Sequence, residues 1–514
     1  MTRLNWQTRS AGRAGFSTEP PLLGGARVSR ATLTLLLLAG VTSAQSAAPT
    51  HRSILTPDGS RFLLVPTDGP PVVHWVVCTP AGPLEDPVGL EGLAHATART
   101  ALAGPAGIGC RDIEREKAAL DRLDKVEVEV ARLQLAGAPI PSELGEQLDA
   151  ARSDARSISD PSAFELEIRR APALASELVE SEEASLWHLT IALEGLPRVA
   201  QLIMLSREDA VLRGVHEEFR HVREEARDRL QSTRFAPARE EVLAQHYLGI
   251  GHPYGRAYAA LTQPPQTLTR TQALATYRQS HHPTRTFHVL SGGFSLPAVE
   301  SMLQRAFAKT TLREPQKLNM PGLRDLEIER RSLLPKARDA GAVLAWRMPQ
   351  DTRAETLEGL VDWLVEGQDS FLARGLRKQG QPALNVSGVP AFPGRRGEGL
   401  VLFEIGPDPD SERAPLPIEP VLTGVRELLD TAAKEGPSLD DLVRVVSSLR
   451  ARRGGTMASP RGLTLELALR CGIYGEAPAQ ALAPTPPSAE ELRAVLRAML
   501  SKSRPVVVLM ESGK

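Results

Sequence analysis

The sequence predicts an α+β protein of two homologous domains, each a mostly antiparallel sheet packed with helices, with a helical-hairpin insertion in the first. Two internal parallels and one change of composition carry this reading. Thr269–Gly293 and Ser488–Gly513 align. Each opens with a helix-capping box (Thr269 with Gln272, Ser488 with Glu491), continues as an amphipathic helix, and passes Arg285 or Arg504 into a buried-type strand. Strand Ala342–Arg347, followed by a long helix from Ala354 to Arg377, echoes strand Val72–Cys78 followed by the helix around His95. Between Cys110 and Ser157 the chain becomes charged, with apolar residues at Ile113, Leu120, Leu123, Val126, Val130 and Leu133. That is helical spacing, and Ala138-Pro139-Ile140-Pro141 breaks it before a second charged helix.

These elements divide the chain into a first domain over 53–310, a helical insertion over 110–160, a charged, proline-containing linker over 311–336 and a second domain over 337–514. Arg61–Val65 and Val72–Cys78 flank Thr67-Asp68-Gly69-Pro70 and read as a β-hairpin. The charged helical pair reads as a solvated excursion that protrudes from the first domain. Residues 1–48 read as an export signal with an N-terminal extension. Arg27 and Arg30 precede the apolar run Ala31–Val41, and small residues follow at Thr42-Ser43-Ala44. The run is too short to span a bilayer, so the expected mature chain is exported, to a periplasm or beyond the cell, with no transmembrane span.

Composition narrows the classes of function. Lys and Arg number 61 against 62 Asp and Glu, a net charge of −1, which excludes an electrostatic nucleic-acid surface. Three scattered cysteines (Cys78, Cys110, Cys471) are too few for a disulfide framework or a cysteine-ligated zinc site.

The chemistry concentrates on Gly92-Leu93-Ala94-His95-Ala96-Thr97-Ala98-Arg99. Positions i and i+4 of a helix share one face, where two histidines could hold a metal and a carboxylate between them could activate its water. Here the carboxylate position is Ala98. The second ligand position is Arg99, whose guanidinium neither deprotonates nor binds a cation.

This arrangement resembles the insulinase/pitrilysin family of zinc peptidases, which reads G-L-A-H-x-x-E-H on that helix. Glu218 and Glu225, on Glu218-Phe219-Arg220-His221-Val222-Arg223-Glu224-Glu225, match the family's companion and ligand glutamates. Gly251-His252-Pro253-Tyr254-Gly255, His282-Pro283 and Gly292-Gly293-Phe294 match further family segments. In the second domain the resemblance implies an Arg and a Tyr seven residues apart that hold the substrate backbone and stabilise the oxyanion. Arg377 is kept, and Leu384 stands at the Tyr position. The resemblance therefore implies no intact catalytic set: Ala98, Arg99 and Leu384 are degenerate, His95 and Glu225 are vestigial ligands, and Arg377 remains for substrate.

The expected function is that of a non-catalytic subunit, a pseudopeptidase that pairs with an active zinc peptidase of the family and helps hold peptide substrate. No cofactor is expected. The alternatives are an active zinc metalloendopeptidase with substituted ligands, the one reading that requires zinc, and a scaffold or binding protein of the same fold.

Overall fold

The computed structural model describes residues 50–512, apart from 248–250, 256–264, 309–313, 316–320, 322–324, 338, 382–383, 397–398 and 409–417. The export signal expected at 1–48 lies outside the described residues. Among the described residues, eleven strands build two sheets: β1 Arg52–Leu55, β2 Arg61–Pro66, β3 Val72–Thr79, β4 Ala173–Glu180, β5 Ser185–Ala192, β6 Phe287–Gly292, β7 Arg330–Ala337, β8 Gly341–Arg347, β9 Leu384–Phe392, β10 Leu400–Pro407 and β11 Val506–Ser512. Their spatial orders are β1-β2-β6-β3-β5-β4 and β7-β11-β8-β10-β9.

The helices used below are α1 Leu93–Ala101, α2 Ile113–Leu135, α3 Ser142–Ile158, α4 Val215–Ser232, α5 Ala236–His246, α6 Arg270–Ser280, α7 Ala354–Leu364, α8 Phe371–Lys378, α9 Leu439–Met457, α10 Pro460–Leu467 and α11 Ala489–Lys502.

The architecture is the expected one: two mostly antiparallel sheets packed with helices. The two parallel contacts are also equivalent, β2 with β6 and β7 with β11. Both capping boxes are formed, at α6 and at α11, and each of these helices leads towards an inner strand of its sheet, β6 or β11. Strand β7 starts at Arg330, inside the stretch read as linker.

Three local expectations are corrected. β2 and β3 do not form a hairpin, because β6 enters between them, parallel to β2 and antiparallel to β3. The Thr67–Pro70 turn instead bridges over the end of β6, where the Thr67 amide donates to the Gly292 carbonyl at 2.8 Å. The helix expected from Ala354 to Arg377 is two helices, α7 and α8. Gly367, at φ 81°, turns the chain between them and the Ser370 side chain caps the second.

The α2–α3 hairpin is solvated over most of its length, as expected, but it is not a free excursion, because three carboxylates of α2 are docked onto α4 or the residues flanking it. Buried Glu116 meets buried Arg213 at 2.6 Å. Asp124 meets His216 at 2.9 Å, and Glu127 accepts from Arg152 at 2.7 Å and Arg220 at 3.0 Å. Buried carboxylates need such partners, and these tie the hairpin down.

Each sheet is covered on one face by helices of its own half and on the other by a helix of the opposite half. Leu463, Leu465, Leu467 and Leu482 of the second half pack on Leu63, Val65, Val76, Leu186 and Val289 of the first sheet. Reciprocally, Phe235, Ala238, Val242 and Leu243 of the first half pack on Val343, Ala345, Leu402, Val506 and Val508 of the second. Alternation along the strands sends neighbouring residues to opposite faces, so both faces carry apolar side chains. At about 2 kcal/mol per buried leucine, either exchanged element contributes a substantial part of the fold's stability.

A polar joint reinforces the seam. The Glu183 carboxylate, in the turn between β4 and β5, accepts the Tyr254 hydroxyl, the Arg395 amide at 2.9 Å and the Arg396 amide at 2.6 Å. A Cβ at Gly394 would overlap the Glu183 carboxylate and push it out of these bonds.

Candidate functional site: the His95–Arg99 face

Helix α1 starts at Gly92, held at φ 98°, and the Asp86 carboxylate caps it by accepting the Gly92 and Ala94 amides, each at 2.7 Å. Burial pushes the Asp86 carboxyl up to about 6 against the pull of those two amides. Seven of the nine α1 residues are buried, leaving His95 and Arg99 as the helix's open face. Ala98 is 2% exposed and packs with Ala81 and Ala94.

Helix α4 crosses that face and presents Glu218, His221 and Glu225, while β4 ends beside it at Glu180. Arg99 forks onto Glu180, Nε to Oε1 at 2.8 Å and Nη2 to Oε2 at 2.5 Å. Its Nη1 donates to Glu218 Oε1 at 3.0 Å and its Nη2 to Glu225 Oε2 at 2.9 Å. His221 Nε2 lies 3.0 Å from the other Glu225 oxygen. His95 Nε2 lies 3.1 Å from the Ser181 carbonyl oxygen.

Three carboxylates thus surround one guanidinium, all with side chains between a fifth and a third exposed. Burial opposes the Arg99 charge, but the bonds and charge of Glu180, then of Glu218 and Glu225, outweigh it and raise the guanidinium pKa. Burial likewise works against the Glu180 carboxylate, yet Arg99 and the nearby His95 and Arg229 hold it below the ordinary range.

The zinc that the resemblance implies does not fit these residues. A catalytic zinc takes three protein donors and leaves one position for water. Here Glu225 is bonded to a fixed cation, His95 is engaged with a backbone carbonyl, and Arg99 fills the space that their side chains would have to share. Among the described residues no group of three or more His, Cys, Asp or Glu is placed to hold a metal ion.

The structure brings His95, Arg99, Glu218 and Glu225 to one place. It does not bring Arg377 and Leu384 into that cluster. Arg377, on α8, donates to the Gln368 and Ala373 carbonyls and lies 3.7 Å from Asp369. Leu384, the first residue of β9, packs against the core of the second sheet. Sequence reasoning missed Glu180, the partner that grips Arg99 at two points. The acidic run Glu180-Ser181-Glu182-Glu183 between two strand-like segments was its signal.

Two spaces open from this face. On the Arg99 side, α1, α3 and α4 wall a cleft of about 1140 Å³ whose lining includes Arg99, Glu218 and His221. On the His95 side, a cavity of about 190 Å³ lies between α4, α5 and Phe392 of β9. The edge of β4 away from β5 carries no strand among the described residues, and Leu174, Ala175 and Ser176 are exposed there.

No family model and no curated protein sequence matches the chain. Solved structures do. A protease from Helicobacter pylori aligns at TM-score 0.63 and 14% identity, over 90% of this chain and 100% of that one. A peptidase M16 inactive domain from Pseudomonas fluorescens aligns at TM-score 0.62 and 14% identity, over 90% and 98%. The first half of the periplasmic protease PqqL from Escherichia coli aligns at TM-score 0.54 and 13% identity, over 90% and 92%. Pitrilysin aligns at TM-score 0.55, with this chain spanning 45% of its length. Two sheets with matching strand orders, the α1–α4 crossing and these alignments together give the chain the fold of the insulinase/pitrilysin, or M16, peptidases.

Proposed function

We propose that this chain is a non-catalytic subunit of an insulinase-type peptidase: exported, unable to hold the catalytic zinc, and paired with an active zinc peptidase for which it helps hold peptide. One observation carries the reading. The guanidinium of Arg99, at the position that the sequence resemblance gives to the family's second zinc ligand, is tied to Glu180, Glu218 and Glu225. A guanidinium is always charged and presents only donors, so this position can neither ligate a metal nor tolerate one beside it. An inactive M16 domain among the structural neighbours supports the same reading. The compartment is supported by the signal-like segment at 27–44 and by the periplasmic protease among those neighbours. Among the described residues no helix is long and apolar enough to cross a membrane.

Peptide holding is supported by the edge of β4, which carries no strand among the described residues and whose backbone can add an extended peptide as a further strand. That edge ends at Glu180, so a peptide added to it would run past the Arg99 cluster.

The test is to purify the chain alone and with an active peptidase of this fold from the same source, then to measure zinc content, peptide hydrolysis and association. Association, with zinc and turnover confined to the partner, is the expected result. Stoichiometric zinc and chelator-sensitive hydrolysis by the chain alone would overturn it.

A further inference from the structure

We propose that the stacked imidazoles of His74 and His188 form an acid-sensitive latch on α10, the helix of the second half that covers the first sheet. Protonating the pair releases the helix. Strand alternation turns His74 and Val76 of β3, and Leu186 and His188 of β5, to the face on which α10 packs. The two ring centres lie 5.5 Å apart with 7° between the planes. His188, 1% exposed, donates from Nδ1 to Glu177 Oε1 of β4 at 3.2 Å, and its Nε2 lies 3.3 Å from His74 Nδ1. Arg461, the second residue of α10, donates from Nε to the same Glu177 oxygen at 2.7 Å. That carboxylate therefore serves the histidine pair and the incoming helix at once.

Neutral histidines suit this place and charged ones do not. His188 holds its proton on Nδ1, so a second proton enters at Nε2, facing His74. The imidazolium then stands near the Arg461 cation, with Glu177, already bonded to that cation, as its balancing charge. The other polar residues that β5, β6 and α10 bring to the pair are uncharged. Thr190 lies 3.3 Å from His74 Nδ1, Ser291 stands opposite His74 in the sheet, and Thr464 bonds that serine at 2.6 Å. Glu466, nearer the other end of α10, is acted on by Arg470 and Arg453 instead. Burial, and then Arg461, push the His74 imidazole below its ordinary range. Burial, helped by the charges of His74 and Arg461 and opposed by Glu177, pushes His188 down to about 4. Both rings thus bind a proton more weakly under α10 than in water. Docking is complete above the ordinary histidine value of about 6.5 and weakens as pH falls through the acid range. At pH 5 an imidazole that is neutral under the helix and ordinary once it leaves favours release about 30-fold. Release uncovers the apolar face of Leu63, Val65 and Val289.

The test follows hydrogen exchange of residues 463–467 in the full chain at pH 7 and pH 5, corrected for the intrinsic rate at each pH. In wild type the open population of this segment should grow by about tenfold or more on acidification. In His188→Gln, whose neutral amide can still donate to Glu177, it should grow by less than about threefold. Glu466 works in the opposite sense, because burial raises its carboxyl and acid then favours docking. The deciding comparison is therefore variant against wild type at each pH. Equal acid sensitivity in a folded His188→Gln overturns the latch. If that variant does not fold, ring-labelled histidine in the wild type decides the matter by magnetic resonance. A His188 ring that stays neutral until α10 begins to exchange supports the latch. A ring that titrates near its ordinary value of about 6.5 while α10 remains protected overturns it.

Discussion

Arg99 and Glu180 meet side-on at two points, 2.8 Å and 2.5 Å, across 81 residues of sequence. This bidentate geometry is the strong form of the pair. It locks the end of edge strand β4 to the helix on which the fold's metal chemistry would be based.

Arg99→Met should therefore leave three carboxylates facing one another. The expected loss is about 2–3 kcal/mol, below the value for a fully buried pair because these side chains keep some solvent. Chemical denaturation measures it. Adding Glu180→Gln should recover part of the loss, so that the double variant costs less than the two single changes together. Additive losses would show that the pair does not act as a unit.

Arg99→His with Ala98→Glu should restore zinc before activity. Histidine at 99 removes the cation and adds a donor beside Glu225, and His95 must leave the Ser181 carbonyl to join it. Glutamate at 98 must displace the tight contacts with Ala81 and Ala94, at a cost of about 1–3 kcal/mol. Turnover should remain roughly 100- to 1000-fold below an intact site, because neither Leu384, packed against the core of the second sheet, nor Arg377, bonded to the Ala373 and Gln368 carbonyls, stands beside the cluster to stabilise an oxyanion. Elemental analysis and a peptide assay read the two effects separately.

Stability should carry an acid-range signature of Asp86. Its folded carboxyl binds a proton more tightly than in the unfolded chain, with a folded pKa of about 6 against an ordinary 3.8. Its contribution is complete below about pH 4 and is lost as pH rises to about 6. Wild type should lose stability relative to Asp86→Asn across that window, by on the order of 2–3 kcal/mol. Parallel stability curves for the two proteins would contradict this.

Glu183→Ala should loosen the seam between the halves. It strips the acceptor from Tyr254 and from the Arg395 and Arg396 amides, and breaking such a buried network costs about 3 kcal/mol. Hydrogen exchange should show protection lost at those two amides before the sheets themselves open.

What could be read in the sequence was what is local. His95 and Arg99 share a face by helical register, Glu218 and Glu225 fall seven residues apart on α4, and both capping boxes lie within four residues. What could not be read was set by partners far along the chain. β2 and β3 look like a hairpin until Phe287–Gly292 arrives between them. Glu180 has no visible role until β4 ends beside α1. The α2–α3 hairpin has the charge of a free excursion until Arg213 and Arg220 are seen to take up its buried glutamates.

The exchange of α5 and α10 between the halves has a consequence for how the molecule is made. Neither half can finish its own core: the face of the first sheet that carries Leu63, Val65 and Val289 waits for Leu463 and Leu467, which are synthesised long after it. Until then that face is an open apolar surface, a target for chaperones and for a second copy of the same segment. Two separately expressed pieces, divided between Ala306 and Arg330, should consequently find each other and rebuild one molecule, each supplying the layer its counterpart lacks.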